Sequence, residues 1–312
     1  MREIQTATVP ILKYNPSESE LNISKLVPDL GSIMVEGVQV PMHVLDIDQQ
    51  GQFLVRDERK LSLTHSFPTT KLGNEVSIGK GCFIPDDRLL LCQNQSKTLF
   101  VCKPDGSNSS VINLNDLPID ICLYDKNHAV VSLGDKGIQI IDLTSLKSGR
   151  IIKVKGFCGV ITSVKDKIWV NNDDHTLTII DIDGKVLKVQ DIQTTCNPYD
   201  ICANQDGDVY CTEVYHDKLS VVTSDGKVRE IYNSPDLKGP TGVAVDDRGD
   251  VYVAGWSSIN IHRIANDGQK HDIVMTAEDG ISLPTALSYN DETKELLVIN
   301  DNFKSVKIYK TQ

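Results

Sequence analysis

The sequence predicts an all-β chain: a six-bladed β-propeller of four-stranded blades, closed by a strand from the N-terminal side, with a small N-terminal α+β appendage. Three observations carry this. A unit of about 40 residues recurs six times. Each copy reads as four short strands with turn residues between them. Val, Ile, Leu and Thr are plentiful, Gly and Pro are scattered evenly, and no long run of helix formers occurs.

The repeat is plainest in "NQDGDVYCTE" at 204 to 213 and "DDRGDVYVAG" at 246 to 255. Extended both ways, the second becomes "PTGVAVDDRGDVYVAGWSSINIHRIANDGQKHDIVM" from Pro240. Strands are expected at Val243 to Val245, Asp250 to Ala254, Ile259 to Ile264 and His271 to Met275. Asp246, Asp247 and Gly249 make the first turn, Gly255 to Ser258 the second, and Asn266-Asp267-Gly268 the third. The copy from Pro198 places Asp225-Gly226 at its third turn, the copy from Gly159 Asp183-Gly184, and the copy from Gly81 Asp105-Gly106. The copy from Pro118 has a longer turn ending at Ser148-Gly149, and the copy from Pro284 runs into the end of the sequence.

Four strands in a period near 40 residues make a propeller blade, and an isolated blade leaves both faces uncovered, so the six copies form one cooperative domain. The sixth copy ends after its third strand, near Tyr309, which leaves an open edge. "LSLTHSF", Leu61 to Phe67, alternates Leu61, Leu63, His65 and Phe67 against Ser62, Thr64 and Ser66 and supplies the missing strand. The propeller is then 59–312 and the appendage 1–58. Within the appendage "VPILKY" and "GSIMVEGVQV" read as strands. "PSESELNISKLVP" reads as a helix with Ser17 as N-cap, Glu20 three residues on and Pro28 as its stop. "MHVLDIDQQGQFLVRDE" reads as a hairpin about Gln50-Gly51.

A formal charge of −11 works against bulk attraction to nucleic acid or anionic membrane. "MREIQTATVP" has no signal-peptide core and no stretch reaches the length of a membrane span, so the expectation is a cytoplasmic protein with no membrane partner. The eight cysteines form no C-x-x-C pair and read as reduced, buried thiols. "GNEVSIGKG" at 73 to 81 lacks phosphate-loop spacing and reads as a turn; "IDIDGK" lacks the carboxylates of a calcium loop; no H-E-x-x-H, G-x-S-x-G or Walker pattern occurs.

The repeat cores "PTGVAVDDRGDVYVAG", "PYDICANQDGDVYCTE" and "ALSYNDETKELLVIND" resemble NHL repeats. The succession of "KGCFIPDDRLLLC" and "INLNDLPIDICLYDKNHAVVS" is similar to the C-terminal propellers of TRIM-like proteins of bivalve molluscs. That resemblance implies a non-catalytic recognition propeller for a protein or peptide, the substrate-recognition part of a ubiquitin-ligase system tied to innate immunity, with no cofactor and no metal. The RING, B-box and coiled-coil parts of such proteins have no counterpart here, and propellers in any case host many activities.

The expected binding surface is the rim formed by loops leading into each innermost strand, among them Lys80, Asp120, Cys158, Tyr199, Asp200, Thr241 and Thr285, and by loops between second and third strands. On it Tyr199, Tyr215, His216, Trp256 and Phe303, with Asp200, Asp173, Asp174 and Lys304, are the candidate contacts, because large aromatics flanked by charge make binding hot spots. Two other classes are weighed against this one. A metal-dependent lactonase or lyase propeller holds Ca or Zn in its channel with three or four inward carboxylates, Asn or His; here the innermost strands offer Asp120 and Asp200 but no His. An RNA- or glycan-binding propeller is the other; RNA binding is disfavoured by the charge.

Overall fold

The computed structural model describes residues 32–35, 38–41, 61–172, 175–192, 198–265 and 268–311. The chain divides into two units, Met1–Glu58 and Arg59–Gln312. In the first, the described residues are two antiparallel strands, β1 (Ser32–Val35) and β2 (Val38–Pro41), paired from Ser32 with Pro41 to Val35 with Val38. "GSIMVEGVQV" therefore holds two paired strands rather than one. The expected helix from Ser17, the strand at "VPILKY" and the hairpin about Gln50-Gly51 lie outside the described residues.

The second unit is six antiparallel sheets of four strands each. After β3 (Leu61–Pro68), blade 1 holds β4 (Ile78–Ile84), β5 (Arg88–Gln93), β6 (Thr98–Cys102) and β7 (Ser110–Asn113). Blade 2 holds β8 (Asp120–Leu123), β9 (His128–Ser132), β10 (Ile138–Asp142) and β11 (Lys147–Ile152). Blade 3 holds β12 (Ile161–Val164), β13 (Lys167–Asn171), β14 (Thr176–Ile180) and β15 (Val186–Asp191). Blade 4 holds β16 (Asp200–Ala203), β17 (Val209–Glu213), β18 (Lys218–Val222) and β19 (Val228–Asn233). Blade 5 holds β20 (Pro240–Val245), β21 (Val251–Gly255), β22 (Asn260–Ile264) and β23 (His271–Met275). Blade 6 joins β24 (Ala286–Asn290), β25 (Glu295–Asn300) and β26 (Ser305–Thr311) to β3.

β3 pairs antiparallel with β26, from Ser305 opposite Pro68 to Thr311 opposite Leu61, so the ring closes as expected. The expected alternation within it holds only in part. A register shift opposite Ile308 and Tyr309 resets the pleat, so that Phe67 is buried while Leu63 is exposed. "SIGKG" likewise belongs mostly to β4 and not to a turn. In blade 2 the turn between β10 and β11 is shorter than expected: Asp142 Oδ1 accepts from the backbone N–H of Thr144 and Ser145 at 2.9 and 2.8 Å, and Ser148 and Gly149 are already in strand.

Six apolar clusters hold the ring, one between each pair of neighbouring blades. The repeated Val-Tyr pair explains itself here. Tyr210 packs in the cluster between blades 4 and 5, and Tyr252 in the one between blades 5 and 6. Innermost strands approach closely, and Gly242 allows it: a Cβ there would lie 2.6 Å from the Leu287 nitrogen of blade 6. The seven described cysteines are free thiols, five buried and Cys122 and Cys202 half-buried. Among the described residues no helix is long and apolar enough to cross a membrane.

Candidate functional site

The innermost strands β4, β8, β12, β16, β20 and β24 line a central cavity of about 660 Å³. Its wall reaches from Lys80, Asp120 and Asp200, near the start of their strands, to the turns that follow those strands, at Asp86, Lys126, Asp291 and Glu292. These four are exposed, so the cavity meets solvent at the turn end.

Three polar side chains converge at the other end. Lys80, Asp120 and Asp200 occupy the same place in blades 1, 2 and 4: each lies two residues before a cysteine, Cys82, Cys122 or Cys202, paired with Leu90, Val130 or Tyr210. The repeat therefore places three different residues on one ring of the channel. Blades 1 and 4 are opposite in a ring of six. Lys80 spans the channel, with Nζ 2.6 Å from Asp200 Oδ1 and 4.0 Å from Asp120 Oδ1. Lys80 thus pairs with Asp200 by charge at hydrogen-bond distance, and an ammonium with three N–H groups has others to offer a further acceptor. The ring of Tyr199 lies 5.9 Å from Nζ, within cation–π range.

The two aspartates are 4% and 5% exposed and tied into the scaffold. Asp120 accepts from the backbone N–H of Ile121 at 2.8 Å and, on its other oxygen, from Ile161 of blade 3 at 2.9 Å. Asp200 accepts from Ile201 and from Val243 of blade 5, both at 3.1 Å. Each carboxylate thus staples its own blade to the next.

Electrostatics follow from one cation facing two buried carboxylates. Burial alone would lower the Lys80 pKa, but the charges of Asp200 and Asp120 outweigh it and raise it, so the ammonium stays charged. The surplus negative charge falls on the acids. Burial, opposed by Lys80 and reinforced by Asp200, pushes Asp120 up to about 7. Asp200 is also raised by burial, against the pull of Lys80. Burial, with Asp120 or Asp200 adding to it, takes the thiols of Cys82 and Cys202 up to about 12.

The other rim candidates are distributed differently. Asp200 is a channel residue, and Tyr199, 39% exposed, sits beside Lys80. Tyr215 is 87% exposed and Trp256 38%. His216 Nδ1 pairs with the buried Glu213 carboxylate at 3.4 Å. The carbonyls of Phe303 and Lys304 accept from Ile78 and Thr69 at 2.9 and 2.8 Å, which fastens blade 6 to the segment between β3 and β4. Asp173 and Asp174 lie outside the described residues. The sequence groups Lys80 with the rim loops without singling it out; the signal is a lysine where the copies of blades 2 and 4 carry aspartate.

A channel-bound Ca or Zn does not fit these side chains. The position between the two carboxylates is held by an ammonium, and backbone N–H groups of its own blade and the next fix each carboxylate in place. Among the described residues no three His, Cys, Asp or Glu side chains are grouped to hold a metal ion.

Solved structures of similar fold include a Bacteroides thetaiotaomicron VPI-5482 protein of unknown function, at TM-score 0.66 and 13% identity over 89% of this chain and 80% of that one. Virginiamycin B lyase from Staphylococcus aureus follows at TM-score 0.56 and 14% identity, over 81% of this chain and 89% of that one. Hydrazine synthase from Kuenenia stuttgartiensis is similar at TM-score 0.58 and 17% identity, over 73% and 82%. No curated protein matches the chain in sequence. A family profile, the SMP-30/gluconolactonase/LRE-like region, matches residues 42–298. This match supports the propeller and not the TRIM-like resemblance in particular. It also overturns the expectation of a non-catalytic chain, because the profile is that of a gluconolactonase-containing family, and a streptogramin lyase shares the fold. Covering well over half of the sequence, it places this chain in the SMP-30/gluconolactonase/LRE-like family.

Proposed function

We propose that the chain opens the ring of a small lactone by hydrolysis in its central channel. The observation that carries this reading is Lys80 set between Asp120 and Asp200 at the end of a cavity of about 660 Å³, a volume suited to a small organic substrate. Asp120, held near pKa 7, is the general base: ionised in good part at neutral pH, and basic enough to take a proton from water. Water attacks the lactone carbonyl, its proton passes to Asp120, and the oxyanion forms beside the Lys80 ammonium. Collapse breaks the ring C–O bond, and the leaving alkoxide recovers the proton from Asp120. The products are a hydroxy acid and the regenerated carboxylate. Family membership supports the reaction class.

The test is acid release from a sugar lactone, an aromatic lactone and a macrocyclic depsipeptide lactone, with wild-type protein and Asp120→Asn. Ring opening that falls by about 10²–10⁴ in the variant supports the reading. No turnover above the buffer rate for all three, or equal rates for both proteins, sinks it.

A second reading concerns the rim. Tyr215 at 87% exposure, with Trp256 and Tyr199, favours a protein or peptide contact there, since exposed aromatics of this size are common anchors. Affinity capture with wild type and with the Tyr215→Ala, Trp256→Ala, Phe303→Ala variant checks it; partners retained by the variant would remove the rim from consideration.

A further inference from the structure

We infer that the Lys80 ammonium is the resident cation of the channel, built into the chain in place of a divalent ion, so that the fold and any chemistry in the channel are independent of Ca and Zn. For the chemistry this rests on the lactone-opening reading; for the fold it stands alone.

The argument is one of charge and space. Two carboxylates from blades 2 and 4 face one channel, buried and stapled to blades 3 and 5. Desolvated like charges repel strongly, and a cation between them relieves this. Blade 1 supplies that cation. Lys80 comes from the repeat position that carries aspartate in blades 2 and 4, and its side chain crosses to the opposite blade. A metal ion at that point would have to displace the ammonium or sit within a few ångströms of it. Displacement leaves a buried lysine without a counter-ion, and coexistence sets two cations against two anions, where among the described residues no third His, Cys, Asp or Glu joins them to hold a metal ion. Two residues on along the same strands are Cys82, Cys122 and Cys202, buried or half-buried thiols. The ammonium also does what a divalent ion could do here: it offsets the charge of the acids and, with three N–H groups, has donors to offer a developing oxyanion.

The test compares wild type, Lys80→Arg and Lys80→Met. Each is dialysed against EDTA, then against CaCl₂ or ZnCl₂, with bound metal measured by elemental analysis and unfolding followed by temperature. Expected are wild type with no stoichiometric metal and an unchanged Tm, Lys80→Arg folded close to wild type, and Lys80→Met unfolded or about 10 °C lower. One equivalent of Ca or Zn bound by wild type with a raised Tm overturns the inference. So does Lys80→Met as stable as wild type, or Lys80→Arg no better than Lys80→Met. These readouts need no substrate, so a failure here is distinct from a failure to open lactones.

Discussion

Lys80 of the first blade reaches Asp200 of the fourth, 2.6 Å from nitrogen to oxygen, across the axis about which all six blades turn. The pair links opposite sides of the ring, while every apolar cluster links only neighbours. Removing Lys80 leaves two buried carboxylates without a cation, so Lys80→Met should lose about 3–5 kcal/mol of unfolding free energy, whereas Asp200→Asn leaves Lys80 facing Asp120 and should lose less. The double variant should lose less than the two together, by about 1–3 kcal/mol. Urea unfolding of the four proteins measures this, and simple additivity would show that the two side chains are not coupled.

Asp120 should make the fold less stable as pH rises. Its pKa in the folded chain is raised to about 7 from 3.8, so the folded state holds the proton more tightly than the unfolded one. The stability this adds is fully present below pH 3.8 and is lost as pH rises through about 7. Asp120→Asn should flatten this part of the profile, as chemical denaturation at a series of pH values from 5 to about 8.5 will report.

If Asp120 is the base, kcat/KM on a lactone substrate should climb with pH and level off above about 7, with the ionised fraction of that carboxyl. A profile flat from pH 5 to about 9 would mean another group takes the proton.

Ring closure depends on Phe67. It is 3% exposed in β3, and its ring lies against Gly106 of blade 1, where an added Cβ would meet it at 2.7 Å. Phe67→Ala should cost about 3–5 kcal/mol. Gly106→Ala should also destabilise, through this clash and through a backbone φ of 79°, which a side chain disfavours. Thermal unfolding of both variants gives the comparison; wild-type stability in either would remove the contact as a closure device.

The channel thiols should be slow to react. With their pKa values pushed up to about 12 by burial, Cys82 and Cys202 hold almost no thiolate at pH 8. Alkylation by a maleimide followed by peptide mapping should find them unlabelled in the native protein and labelled in urea.

The sequence by itself determined the ring: six copies of a four-strand period, with Leu61 to Phe67 to finish the last, follow from alternation and turn chemistry, which are local properties. It also showed the Val-Tyr pairs as scaffold, since Tyr210 and Tyr252 recur at one place in the unit. It read "GSIMVEGVQV" as one strand where two pair, and put Leu63 on the face of Phe67, because strand pairing and a register shift move side chains without changing composition. Only the tertiary structure decided the channel. Lys80, Asp120 and Asp200 are separated by 40 residues or more along the chain, and nothing local distinguishes a lysine in a loop from one that crosses an axis. Closing six blades into a ring brings equivalent positions face to face, and burial there turns ordinary charged residues into a coupled set. That coupling depends on distance and dielectric, which a sequence does not carry.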